Sequence, residues 1–343
     1  MKVDQHIKQT IDGKTVLVTG GTGSFGNHFI QVALTKYKPK RLIIFSRDEL
    51  KQQQIRNRWP DPRLDFFIGD VRDCDRLRRA FQANVDIIIH AAALKQVPAC
   101  EYNPFEAIKT NVLGAKNVID AAIDCAVPKV LALSTDKAVN PVNLYGATKL
   151  CAEKLFVQGN SYAGGKNTRF SCIRYGNVLG SRGSVVPLFR RQRKEGSLTV
   201  TDRRMTRFWL TLDQAVALVL KCIGVMEGGE VFVPHIPSMR MVEMAQAMAP
   251  GCELSFSGVR PGEKLHETLV STDEARHSVS VDDLFVIKPE FPWWGVKNWV
   301  KGEPLPEDFS FCSNSNDRWL SDNEFLSLIG ESIDVPRVGA AGR

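Results

Sequence analysis

Tyr145-Gly146-Ala147-Thr148-Lys149 sets a phenol and an ammonium four residues apart. On a helix, positions i and i+4 share one face. A cation beside a phenol favours the phenolate, so Tyr145, which ordinarily titrates at about pH 10, becomes a candidate base nearer neutrality. Lys149 can also hold the ribose hydroxyls of a nucleotide. The spacing alone is equally that of a solvated helix face, and its weight comes from its surroundings. Upstream stands Ser134-Thr135-Asp136-Lys137, closing the apolar run Lys129 to Ser134. The ends of such strands are where ligands sit in open α/β sheets. Asp136 beside Lys137 reads as an acid–base pair or as a local ion pair.

A second site is written in Thr19-Gly20-Gly21-Thr22-Gly23-Ser24-Phe25-Gly26, where glycines 20, 23 and 26 recur every third residue. Glycines let a backbone turn sharply and approach a pyrophosphate, and a helix that follows offers free N–H groups and a positive dipole end. The loop lies between a β-branched run, Thr15 to Thr19, and an amphipathic segment reaching Lys36, the context that separates a dinucleotide site from a tight turn. The end of the next run carries Ser46 and Arg47, with Lys51 one turn on. A carboxylate there suits a ribose 2′-hydroxyl and a cation suits a 2′-phosphate, so NADP is the expected coenzyme. Asp48 and Glu49 read as caps of the next helix. Asp70, with Val71 packing on the ring, can accept from an adenine amino group, or can cap a helix. Ala91 and Ala92 are small enough for ribose and nicotinamide to lie against the backbone. Lys95 can reach a phosphate or the substrate.

These residues need a scaffold that places strand ends side by side. Short apolar runs at Thr15–Thr19, Arg41–Ser46, Asp65–Ile68, Asp86–His90 and Lys129–Ser134 alternate with helix-length segments, which predicts βαβ units in a parallel sheet covered on both faces. The expected fold class is α/β, a Rossmann-type doubly wound parallel sheet with a smaller mixed α/β substrate-binding domain. Residues 1–176 form the expected NADP-binding domain, completed by about 207–235; residues 177–206 and 236–343 form the substrate-binding part and a C-terminal strap. Within these, Asp213–Val225 and Met239–Met248 read as helices and Glu230–Val233 as a strand. Pro289 to Pro306 reads as an ordered strap and the last dozen residues as frayed.

Composition narrows the class. The chain has 343 residues, 43% apolar and 24% charged, which excludes disorder as the main state. No apolar run approaches the roughly 18 residues of a membrane span, and Met1 to Thr10 lacks the apolar centre of a signal peptide, so the cytosol is the expected location. Eight cysteines and six histidines show no metal or redox spacing, so free thiols and no metal are expected. A net charge of +7 is diffuse, its densest stretch being Arg190 to Lys194. It fits an anionic small molecule, and no nucleic acid or membrane partner is expected.

Taken together, the glycine loop, the strand-end Thr135 and the Tyr145/Lys149 pair resemble the extended short-chain dehydrogenase/reductase superfamily. Within it, TGGTGSFG (19–26), HAAALKQVP (90–98), ALSTDKAVNPVNLYGATKL (132–150), RYGNVLGSRGSVVPLF (174–189), MTRFWLTLD (205–213) and RPGEKLHE (260–267) resemble the inverting UDP-N-acetylglucosamine 4,6-dehydratases of pseudaminic acid biosynthesis. Retaining sugar dehydratases carry Asp-Glu where this chain has Asp136-Lys137. The resemblance implies that UDP-N-acetylglucosamine is oxidised at C4, loses water across C5–C6, is reduced at C6 and is inverted at C5. It implies Tyr145 as base at the C4 hydroxyl and Asp136 as acid for the leaving hydroxyl. Lys137 serves as base at C5 if its pKa is depressed. Thr135, Asn177, Lys95, Arg190, Arg260 and Glu263 become substrate contacts, arginine suiting a diphosphate by its planar fork. A homo-oligomer, dimer or hexamer, is implied as well. The alternatives are another UDP-sugar 4,6-dehydratase/5-epimerase or 4-epimerase on this scaffold, and a non-enzymatic NADP-binding regulator.

Overall fold

β-branched and apolar residues without interruption favour strands buried on both faces, and the first five runs form them. They are β1 (Thr15–Thr19), β2 (Arg41–Ser46), β3 (Leu64–Ile68), β4 (Ile87–His90) and β5 (Lys129–Leu133). The computed structural model describes residues 10–181, 183–290, 299 and 302–331. A further strand that periodicity did not single out, β6 (Arg169–Ile173), follows, and all six pair in parallel in the order β3-β2-β1-β4-β5-β6. Val231–Pro234, one residue on from the strand expected at Glu230–Val233, extends this row in parallel beyond β6. β1 thus lies between β2 and β4, the reversal point at which connections leave for opposite faces and a crevice opens at the carboxyl ends.

The connecting helices are α1 (Ser24–Lys36), α2 (Glu49–Arg58), α3 (Cys74–Phe81), α4 (Gly114–Asp124), α5 (Leu144–Tyr162), α6 (Val185–Arg193), α7 (Leu212–Val225) and α8 (Met241–Met248). α1 packs with α7, while α3, α4 and α5 pack in series. Side chains fix four of the eight starts: Asp48 accepts from Lys51 N at α2, Asp73 from Arg76 N at α3, Asn143 from Gly146 N at α5 and Thr211 from Gln214 N at α7. α1 starts at Gly23, with no side-chain cap and no acidic residue in its first turn.

The C-terminal third departs from the expected partition. Leu284–Ile287 and Ser278–Val281 join the large sheet antiparallel beyond Val231–Pro234, with Glu303–Pro304 at its edge. Residues expected wholly in the substrate-binding part therefore also complete the sheet. A separate, smaller core gathers Leu179, Phe189, Leu198, Trp209 and Phe325 with Met205, Met239, Met241, Met244 and Met248. Its strands are Ser197–Val200 beside Glu253–Phe256, and Asn177–Val178, Thr206–Leu210 and Ser238–Arg240 in a second small sheet. Met239 lies in the last of these, so the helix expected from Met239 begins at Met241. Of the strap expected over Pro289–Pro306, residues 291–298, 300 and 301 lie outside the described residues, as does the expected frayed end, 332–343.

One buried charge cluster ties these parts together. Arg174, at the end of β6 and 2% exposed, sets Nη2 2.8 Å from Glu153 Oε2 on α5 and 2.9 Å from Glu274 Oε1. Its Nη1 donates to Leu269 O at 2.8 Å. Ser134, at the end of β5, donates to Glu153 Oε1 at 2.8 Å. Removing one member of a buried ion cluster strands the others without counter-charge. Arg174→Ala is expected to cost about 3–5 kcal/mol of folding stability, read as a lowered midpoint in urea unfolding; a midpoint equal to the wild type would dismiss the cluster as a structural tie.

Candidate active site

The crevice at the carboxyl ends of β1 to β6 is a cleft of about 580 Å³. One half is lined by the glycine loop. Gly20 has φ +65°, and a Cβ on it would stand 2.8 Å from the Ala92 backbone; a Cβ on Gly26 would meet Gly21 O at 2.2 Å. Glycine is thus required both for the positive φ and for the close approach of the loop to β4's extension. Beneath this turn, Thr19 Oγ1 and His90 Nδ1 lie 2.8 Å apart and join β1 to β4. Burial, with the Lys149 charge, pushes His90 down to about 3, so it is neutral. The uncapped N–H groups of α1 open onto the same space, a ready anion site.

The structure brings together Gly20, Thr22, Gly23, Ser24, Phe25, Gly26, Ser46, Arg47, Lys51, Asp70, Val71, Ala91, Ala92 and Lys95 along this wall. Asp48 is engaged by Lys51, through its main-chain N–H and its ammonium, so it acts as a cap. Asp70 does not cap α3; Asp73 does. Asp70 instead accepts from Arg72 N at 3.0 Å and from the Arg72 guanidinium at 2.7 Å, with Arg47 Nη1 3.6 Å away. Burial would raise its pKa, but the bonds from Arg72 and the Arg47 charge outweigh that and hold it below the usual carboxylate range. Lone pairs remain on each oxygen for a further donor. A cradle that only glycine can form, an uncapped helix start and two cations at the end of β2 fit a dinucleotide.

The other half holds the acid–base residues. Thr135, Lys137, Tyr145, Lys149 and Asn177 line it. Asp136 has no exposed surface; its Oδ1 accepts from Thr135 Oγ1 at 2.9 Å and Lys137 Nζ at 3.0 Å, while Oδ2 has no partner among the described residues. Two expectations are corrected here. Lys149 does not draw the Tyr145 phenol down: its Nζ donates to Leu133 O at 2.7 Å. Burial dominates, and Tyr145 is pushed up to about 12, although the Lys137 charge and a hydrogen bond with Thr135 act downward. Nor is the Lys137 pKa depressed. Burial alone would lower it, but the charges of Asp136 and Glu267 prevail and hold the ammonium charged. Lys149, by contrast, is lowered by its burial.

Three expected contacts lie apart from the cleft wall. Arg190, on α6, pairs with Glu331 at 2.7 Å and donates to Ile329 O at 2.9 Å, so the charge expected to meet a substrate is spent on the chain's own C-terminal segment. Arg260 is 61% exposed and 3.8 Å from Glu263, whose Oε2 is buried without a hydrogen bond among the described residues. Their loop reaches the start of α5, where Asn143 Nδ2 donates to Gly262 O at 2.8 Å. The sequence did not single out Thr110 and Ser184. Both line the cleft, and their hydroxyls, like Asn177 Oδ1, lack partners among the described residues. Buried polar groups of this kind call for a partner. Ser184 falls within the run 174–189 quoted above, whereas no local motif marks Thr110. The described residues contain no group of His, Cys, Asp and Glu placed to hold a metal, and no helix long and apolar enough to cross a membrane.

Residues 16–289 match the polysaccharide biosynthesis protein family. A UDP-N-acetylglucosamine 4,6-dehydratase (inverting) of Campylobacter jejuni is 48% identical over 328 residues, covering 93% of this chain and 98% of that one. A UDP-glucose 4-epimerase of Rickettsia canadensis is 44% identical, covering 92% and 95%. Among solved structures, Pen from Bacillus thuringiensis superimposes with a TM-score of 0.85 at 37% identity, over 93% of this chain and 98% of that one. The dTDP-glucose 4,6-dehydratase DesIV of Streptomyces venezuelae, solved with NAD and TYD bound, shares the fold with a TM-score of 0.65 at 23% identity, covering 73% and 86%.

Two outcomes follow from the geometry. Gly20→Ala is expected to weaken dinucleotide binding at least about ten-fold in a fluorescence titration, since the turn cannot accept a Cβ; unaltered affinity would relocate the site. With its pKa raised, Tyr145 is a neutral phenol in the ligand-free chain up to about pH 11. The ultraviolet titration of Tyr145→Phe is therefore expected to match the wild type below that pH, and a tyrosinate signal missing from the variant at pH 8–9 would contradict the burial argument.

Proposed function

This chain belongs to the polysaccharide biosynthesis protein family, and we propose that it is a UDP-N-acetylglucosamine 4,6-dehydratase, a lyase that inverts C5. The observation that carries this reading is the placement of Thr135, Asp136, Lys137 and Tyr145 in one hydrogen-bonded group opposite the glycine turn. A 4-epimerase must move a proton and two electrons at C4 alone and has no use for a second acid–base pair. A regulator needs the glycine turn but none of the four.

The cradle of Gly20, Gly23 and Gly26 would hold an oxidised nicotinamide coenzyme, which would supply a positive charge and a reversible acceptor for the hydride lost at C4 and regained at C6. Tyr145 takes the proton of the C4 hydroxyl, with Thr135 and Lys137 lowering its pKa against burial. The ketone formed at C4 acidifies the C5 hydrogen, which Lys137 removes when in its amine form. Asp136 is sealed from the cleft and its Oδ1 accepts from both Lys137 and Thr135, so the proton that Lys137 gains from C5 passes through Asp136 to Thr135, which faces the cleft and gives up its own to the departing C6 hydroxyl. Lys149 orients the coenzyme ribose. Asn177, Lys95, Arg260 and Glu263 hold the UDP-sugar; Arg190 is withdrawn from that set, being committed to Glu331.

Arg47 and Lys51 at the end of β2, with Asp48 engaged by Lys51, support NADP over NAD. Arg47→Ala is expected to weaken NADP about ten-fold while leaving NAD within about two-fold, and equal losses for both would withdraw the preference. We also place the chain in the cytosol as a homo-oligomer, with its product serving pseudaminic acid formation, on the strength of the family resemblance.

The decisive measurement is NMR of UDP-N-acetylglucosamine incubated with the purified chain in deuterated water. A 4-keto-6-deoxy product carrying deuterium at C5 in the L-arabino configuration is expected. Appearance of the 4-epimer without water loss would make the chain an epimerase like its Rickettsia relative, and no turnover would favour the regulator. Lys137→Ala is expected to abolish water loss while retaining coenzyme; wild-type turnover in that variant would remove Lys137 from the chemistry.

A further inference from the structure

Lys137 has a second carboxylate against it that the reading above does not use. Glu267 comes from the far side of the chain, its side chain 3% exposed, and its Oε1 lies 3.4 Å from Lys137 Nζ. Its Oε2 accepts no hydrogen bond among the described residues. The nearest competing cations stand farther off, Arg207 Nε at 3.8 Å and Lys264 Nζ at 4.0 Å. Their hydrogen bonds go elsewhere: Arg207 donates to the carbonyls of Thr206, Lys264 and Leu265, and Lys264 to Val139 O at 2.6 Å.

Those bonds clamp the backbone that carries Glu267. Ser313 adds two more, its Oγ accepting from Glu267 N at 2.9 Å and its N–H donating to Glu267 O at 2.8 Å. The backbone under the buried carboxylate is therefore fixed, and one ammonium lies between Asp136, 3.0 Å distant, and Glu267. We propose that Glu267 is a positioning residue for Lys137, holding Nζ at the wall of the cleft and setting the pH at which the free amine appears there. This rests on the reading of Lys137 as the C5 base.

The physical cause is charge. A second anion within about 4 Å stabilises the ammonium relative to the amine. Glu267 itself is pushed up by burial, against the pull of Lys137. The other ionisable groups facing the pair are Asp136 from the turn after β5, Tyr145 from α5, Arg207 from Thr206–Leu210 and Lys264 from the same segment as Glu267. Asp136 acts on Tyr145 directly, whereas Glu267 reaches it mainly through Lys137. Its removal should move the C5 step more than the C4 step.

The test uses the coenzyme-loaded chain with UDP-N-acetylglucosamine as probe, following deuterium entry at C5 by NMR and C4 oxidation by reduced-coenzyme absorbance, each across pH. In Glu267→Gln the ascending limb of C5 exchange is expected to fall by about one pH unit or more. The C4 limb moves by less, and KM stays within about three-fold. Glu267→Asp, which withdraws the carboxylate by one methylene, is expected to shift the C5 limb by a smaller amount, and it carries the test if the Gln variant does not fold. A C5 limb that stays at the wild-type pH in the variants, or C5 and C4 limbs that move by equal amounts, overturns the role of Glu267. Wild-type chain that exchanges no C5 hydrogen sinks the dehydratase reading and this inference with it, whereas wild-type exchange with unshifted variants sinks this inference alone.

Discussion

A guanidinium kept from water between two carboxylates is the contact on which the catalytic geometry depends. Arg174 closes β6, and its partners Glu153 and Glu274 belong to α5 and to the segment that follows Glu267. Through Ser134, Glu153 also holds the end of β5, from which Thr135, Asp136 and Lys137 project. Four stretches of chain are therefore fixed relative to one another by one directional cluster. Apolar residues could match its stability, but they would not set the relative angle of a helix, two strand ends and a loop as bidentate bonds do.

The ligand-free cleft is chemically quiet, and the reason is electrostatic. Burial keeps the Tyr145 phenol protonated, and two carboxylates keep the Lys137 ammonium charged. Neither is a base at neutral pH without a further charge in the cleft. Catalytic groups tuned by their occupants rather than by the empty protein are protected from idle proton exchange between turnovers.

The parts legible in the sequence were those set by neighbours along the chain. β1 with its glycines, the runs that became β2 to β5, and the Tyr145/Lys149 spacing are local patterns, and each sits where its pattern placed it. β6 was missed although glycines 164 and 165 precede it, because RFSCI mixes a charged residue, a serine and a cysteine with two apolar residues and offers no β-branched run. The protonation of Tyr145 and Lys137 was misjudged for a different reason. It depends on which distant groups arrive beside them, and neither the Lys149–Leu133 bond nor the approach of Glu267 can be read from i, i+4 spacing. Arg190 illustrates the same limit, since the basic run Arg190–Lys194 gave no hint of Glu331 as its partner. The sheet's antiparallel extension, likewise, required knowing where Ser278–Ile287 returns in space.

The smaller core is packed with thioethers where the sheet's core is packed with branched side chains. Met205, Met239, Met241, Met244 and Met248 lie buried together against Trp209 and Phe325. Unbranched, polarisable side chains re-pack readily, so this lobe can yield slightly as a bulky anion settles without losing its cohesion. Those thioethers are also what peroxide would attack wherever motion of the lobe admitted it. Each sulfoxide would lodge a polar oxygen in an apolar interior, so oxidative damage would loosen the lobe while the branched core beneath the glycine turn remained intact.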